Sequence, residues 1–166
     1  MKEASRIASL FEDLYNGDPW LGVTLVETLE TIATEGAAKK IDVQWNSIWE
    51  IINHVISYRE DVLQRVQGNI SNVPDDNFFR VVTDQSDTAW KNTLLRLQDS
   101  QDEWIAFLKE VDDDELEKIY ANNNASYYKN IHGIIQHDAY HLGQIVMLAK
   151  AVRASTRTNP VDKMIQ

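Results

Sequence analysis

The sequence predicts an all-α protein: a four-helix bundle with a long crossover connection between its second and third long helices. Three observations carry this. Four long segments repeat apolar residues at spacings of three and four. Strand signals are nearly absent, since the longest β-like run is FFRVV and no Asn-Gly or Asp-Gly turn joins two such runs. The stretch from Gly68 to Gln85, GNISNVPDDNFFRVVTDQ, is too long for a tight turn and suits a crossing of the bundle.

The first long helix is expected over residues 3 to 15, with Ala4, Ile7, Ala8, Phe11, Leu14 and Tyr15 on one side. Asn16 and Gly17 suit its C-terminal cap, and Pro19 cannot continue it. A short helical piece, TLVETLETI, follows behind a Thr24…Glu27 capping pattern. Ser47 and Glu50 form a second such box and open the second long helix, which runs to Gln67 and ends at Gly68-Asn69. Ile48, Ile51, Ile52, Val55, Val62 and Val66 supply its buried side.

The third helix, about 87 to 110, reads Trp90, Leu94, Leu97, Gln101, Trp104, Leu108 and Val111 along its seam. DDDE opens a short turn of helix, with Asp112…Glu115 as its box. The last helix is expected from about Ala125 to Arg153. Residues 154–166 read as a polar tail on a single domain spanning 1–166.

Composition narrows the function. The 166 residues hold no cysteine, which excludes disulfides, thiolate metal sites and cysteine nucleophiles. A metal here would be held by imidazole, carboxylate or water. The formal net charge of −10 argues against nucleic acid, whose phosphates need a basic stripe. No run approaches the roughly 18 apolar residues of a membrane span. The opening MKEASRIASLFEDLY lacks a signal-peptide core, so the expected compartment is the cytoplasm.

Four histidines are present, and two of them, in HDAYHLGQI, stand one helical turn apart. On the last helix the seam reads Ile131, Ile134, Asp138, His141, Ile145, Leu148, Val152, so His141 stands where leucine is expected. His137 lies one turn earlier, close enough for both rings to ligate one ion. His54, flanked by Ile51 and Tyr58 on the second long helix, is the natural third. Three neutral imidazoles suit zinc, nickel, iron or copper and leave coordination positions open. His132 lies about 140° round the helix from His137 and reads as surface. Spacing alone also allows the bland reading, in which buried histidines only hydrogen-bond. HDAYH lacks the glutamate of H-E-x-x-H, so a zincin protease is not indicated.

GDPW, then NSIWEIINHVISYRE, then HDAYHLGQI together resemble the DinB/YfiT-like superfamily of bacterial four-helix-bundle proteins, over residues 5 to 153. The resemblance implies that His54, His137 and His141 hold one divalent metal (zinc, nickel or iron). It further implies a small-molecule enzyme, either a transferase using a low-molecular-weight thiol as cosubstrate or a metal-dependent hydrolase. Relatives of this kind are often homodimers. The alternative is a non-catalytic protein in which the metal staples two helices. No catalytic side chain is assigned.

Other residues have two readings each. Gln144 shares the histidine face and either supports a ligating imidazole or sits at a helix contact. Tyr58 either lines the pocket or supplies a phenol for proton transfer there, or else belongs to the core. Asp138 is either an acceptor for a histidine or a partly exposed ion-pair partner. Gln101 interrupts an apolar seam, so it needs a buried partner or faces the site. Gly143 is expected to permit close helix approach, and Trp20 and Trp49 to anchor the bundle mouth.

Overall fold

The computed structural model describes residues 2–157. Its elements are α1 (Glu3–Asn16), α2 (Leu25–Glu30), α3 (Thr34–Ala38), α4 (Ile48–Val66), α5 (Asp87–Glu110), α6 (Asp113–Leu116), β1 (Ile119–Tyr120), β2 (Ala125–Ser126) and α7 (Tyr127–Arg157). The protein is all-α, as its periodicity predicts. The β1–β2 ladder pairs only Ile119 with Ser126 and Tyr120 with Ala125. FFRVV forms no strand. No helix among the described residues is long and apolar enough to cross a membrane.

Local chemistry sets the helix ends. The Ser47 side chain accepts from Glu50 N while the Glu50 carboxylate accepts from Ser47 N, so the box that opens α4 is complete. At the other end Gly68 has φ +89° and donates to Arg65 O, while Asn69 N reaches Gln64 O. This is the two-bond Schellman arrangement, which needs a residue free to adopt a left-handed conformation. Gly17 serves α1 differently. Its φ is ordinary, but an added Cβ would fall 2.8 Å from Asp13 Cα.

Several expectations are corrected. Asp112 makes no side-chain cap on α6. It pairs with Lys2 at 2.6 Å instead, and its neighbour Asp113 accepts from Glu3 N and Ala4 N. The start of α1 is thus capped by a carboxylate some 110 residues away, a partnership that sequence spacing does not encode. Trp20 is 99% exposed and anchors nothing, whereas Trp49 is buried and donates to Thr93 Oγ1 at 2.9 Å. A Cβ on Gly143 would meet nothing within 4 Å, so that glycine does not admit a close helix. α7 runs on through Arg157, so the first residues of the expected tail are helical. The remainder, 158–166, lies outside the described residues.

α4 is the central helix, packed most extensively on α7 and also on α5. Two apolar clusters lie along it. One gathers Ile48 to Ile56 of α4 with Trp90, Leu97, Leu142, Ile145 and Leu148. The other gathers Val62, Leu63 and Val66 with Phe11, Trp104, Leu108, Ile131 and Ile134. Between them falls a polar belt: Arg59 of α4, Gln101 of α5, Asp138 and His141 of α7 are all buried. The functional side chains stand in that belt.

Candidate metal centre

The pairing of α4 with α7 brings Ile51 near Leu148, His54 near His141 and Tyr58 near His137 along one cleft. Helical periodicity then does the rest: positions 137 and 141 of α7 and 54 of α4 point to the same spot. His54 Nε2 stands 2.9 Å from His137 Nε2 and 3.1 Å from His141 Nε2. Ligand atoms of the three lie within 4.8 Å of one another, in the one such group among the described residues. His54 and His141 are buried, and His137 is partly exposed to the cleft.

The far side of two rings decides which nitrogen carries the proton. His54 Nδ1 donates to the Asn77 carbonyl at 2.7 Å, and that oxygen can only accept. His141 Nδ1 stands 2.7 Å from Gln144 Oε1, which likewise accepts. Both rings therefore present a bare Nε2 lone pair to the common centre, the tautomer a metal requires. Burial strengthens this state. It pulls the His54 imidazole down to about 4, below its ordinary 6.5, and lowers His141 in the same direction.

The donor set fits a divalent ion. Zinc–nitrogen bonds of 2.0–2.1 Å in tetrahedral geometry place two nitrogens about 3.3 Å apart. The observed separations need to open by only a few tenths of an ångström. Lone pairs turned toward one another at 2.9 to 3.1 Å repel unless a proton or a cation lies between them.

The surrounding side chains hold this geometry. Phe79 stacks on the His54 ring at 3.9 Å with an interplanar angle of 7°, and Tyr58 lies 4.6 Å from the His137 ring. The Tyr58 hydroxyl donates to Asn77 Oδ1 at 2.8 Å, so one residue steadies the loop carbonyl that holds His54. Burial also raises Tyr58, which keeps its phenol protonated. Asn77 and Phe78 have φ of 51° and 61°, the left-handed region that few side chains favour.

Asp138 differs from both sequence readings. It is fully buried, and its Oδ2 accepts from Arg59 Nε at 2.7 Å. Arg59, equally buried, gives Nη1 to Gln101 Oε1 at 3.0 Å, while its carbonyl accepts from Trp104 Nε1. Gln101 therefore faces Arg59 and not the cleft. Asp138 Oδ1 lies 3.6 Å from His137 Nδ1, too long for a hydrogen bond, and neither atom has another partner among the described residues. His132 stands apart from the triad, half-buried, with its ring centroid 4.3 Å from that of Tyr128 and the two planes tilted by 44°.

Sequence reasoning missed Arg59, Asn77 and Phe79. Arg59 had a signal, for it interrupts the Val55, Val62, Val66 seam with a charge that must find a buried partner. Asn77 and Phe79 had none, because an irregular segment gives no period from which to infer direction.

The cleft above the histidines has a volume of about 900 Å³. Trp45, Tyr140 and Met147 line it and are 56%, 64% and 67% exposed, so the mouth is open to solvent. No curated protein and no solved structure matches the chain. A family model described as the DinB superfamily matches residues 22–145, a span that contains His54, His137 and His141. With well over half of the sequence inside that match, and a helical fold as its motifs imply, the chain belongs to the DinB superfamily.

Proposed function

We propose that the protein is a metal-dependent enzyme for small molecules, of the thiol-transferase or hydrolase type, with His54, His137 and His141 holding one zinc, nickel or iron ion. The observation that carries the reading is the convergence of three imidazole nitrogens at the floor of an open cleft, with no fourth side-chain ligand in the group. Such an ion, when bound, lowers the pKa of water or of a thiol cosubstrate and so supplies a nucleophile near neutral pH.

The chain's own residues do the positioning. Asn77 and Gln144 keep the protons of His54 and His141 on Nδ1. Tyr58 and Phe79 fix the rings from the side. Tyr58, held protonated, serves as a hydrogen-bond donor and not as a base. The reading includes a cytoplasmic homodimer, consistent with exposed Val43, Ile70 and Val81, for which light scattering should give twice 19.1 kDa.

Elemental analysis of protein purified without added metal or affinity tag tests the first half, and one transition-metal ion per chain is expected. Thiol-transfer and hydrolysis assays on loaded and metal-free protein test the second. Metal without turnover in any assay would favour the alternative, a metal staple between α4 and α7. Protein that takes up no metal would end both.

A further inference from the structure

We infer that the cleft selects an uncharged, largely apolar molecule, aromatic where it passes the mouth, and discriminates against substrates bearing several carboxylates or phosphates. This rests on the metal reading above and names the substrate class of that same site.

The first support is the mouth itself. Trp45, Tyr140 and Met147 stand more than half exposed around the opening, with Ile51, Phe79 and Leu148 deeper in. Large apolar side chains left in water gain when an apolar ligand covers them, and an indole, a phenol and a thioether suit an aromatic ring in particular.

The second support is polar and neutral. Gln44 and Asn46, at the end where α3 leads into α4, face the cleft, and their side-chain amides make no hydrogen bond among the described residues. Each offers two donors and an acceptor, which suits an amide, ester or hydroxyl on the ligand. Neither offers the paired, charge-assisted donors that bind carboxylate or phosphate tightly.

The third support is charge. One residue in four of this chain is charged, yet the described residues lining the cleft include no lysine, arginine, aspartate or glutamate. The nearest buried carboxylate, Asp138, lies behind His137 and is already neutralised by Arg59. A net charge of −10 repels polyanions at long range, and among the described residues lining the cleft no lysine or arginine offsets that, which leaves only a metal held by the histidines to do so. One anionic group is therefore accommodated, on the metal, and further ones are not.

Cobalt(II)-loaded protein provides the test, because thiolate binding changes its visible spectrum. Benzyl mercaptan and mercaptosuccinate both present one sulfur, but the second carries two carboxylates. Benzyl mercaptan should bind about tenfold tighter or more. The double variant Trp45→Ala, Met147→Ala, at exposed positions, should lose most of that preference while keeping its cobalt affinity. Gln44→Lys should raise mercaptosuccinate binding several-fold. Equal or tighter binding of mercaptosuccinate to the unaltered protein overturns the substrate class and leaves the metal reading standing, and so does a preference unchanged in the double variant. A protein that gives no cobalt–imidazole spectrum at all overturns both.

Discussion

The polar belt of this bundle holds two clusters, side by side on the same turn of α7, and they behave in opposite ways. Asp138 turns inward and finds Arg59, which in turn finds Gln101, so formal charges cancel inside the core. His137 and His141 turn outward to the cleft and meet His54, so lone pairs accumulate. A buried polar group that meets its complement is an internal tie. Like groups gathered with two of their three protons held elsewhere leave lone pairs free for an ion. The distinction lies in which atoms face one another, although the histidine cluster also opens to the cleft through the partly exposed His137.

The largest way to break this comparison is to unbalance the internal tie. Arg59→Leu strands a carboxylate with no exposed surface, and should cost about 3–5 kcal/mol in urea denaturation. Adding Asp138→Leu should recover much of that loss, because a matched apolar pair needs no partner. A double variant as unstable as the single one would mean that the pair does more than cancel charge.

The histidine cluster should respond in the other currency. Alanine at His54, His137 or His141 should weaken zinc affinity by more than about a hundredfold, exceeding the loss known for outer supporting groups. Metal-free stability should move far less than in Arg59→Leu. His132→Ala should leave zinc affinity unchanged in the same competition titration.

Acid sharpens the contrast next. In the folded protein burial holds His54 down to about 4, so between there and 6.5 the unfolded chain binds the extra proton. Metal-free stability from this group is complete above about 6.5 and is lost as pH falls toward 4. The slope is at most about 1.4 kcal/mol per pH unit for each such histidine. Urea midpoints at pH 7, 5.5 and 4.5 should fall in that order, and His54→Ala should flatten the series.

The smallest effect concerns a supporting group. Gln144→Ala removes the acceptor from His141 Nδ1 and should reduce zinc affinity by about tenfold, with the fold intact. An unchanged affinity would assign Gln144 to the cleft wall alone.

The same contrast explains what could be read from the sequence. His54, His137 and His141 were readable because each sits on a regular helix, where a spacing fixes a direction. Asp138 was visible as an anomaly in its seam, but its partner stands 79 positions away on another helix. Only packing decides that distance. The caps at Ser47 and Gly68 were readable for the same local reason as the histidines. The Asp113 cap on α1 and the bare surface of Trp20 were not, since both depend on how remote segments meet.

Phe78 holds left-handed backbone without being glycine, a strain of about 1–3 kcal/mol, beside Asn77, a residue type that adopts that region more readily. The hydrogen bond from His54 to the Asn77 carbonyl is one of the restraints that keeps them there. An ion held on Nε2 would fix that ring at both of its nitrogens and so steady the loop. On the metal reading, residues 77 and 78 should gain hydrogen-exchange protection when zinc is added, and the His54→Ala variant should lose that gain.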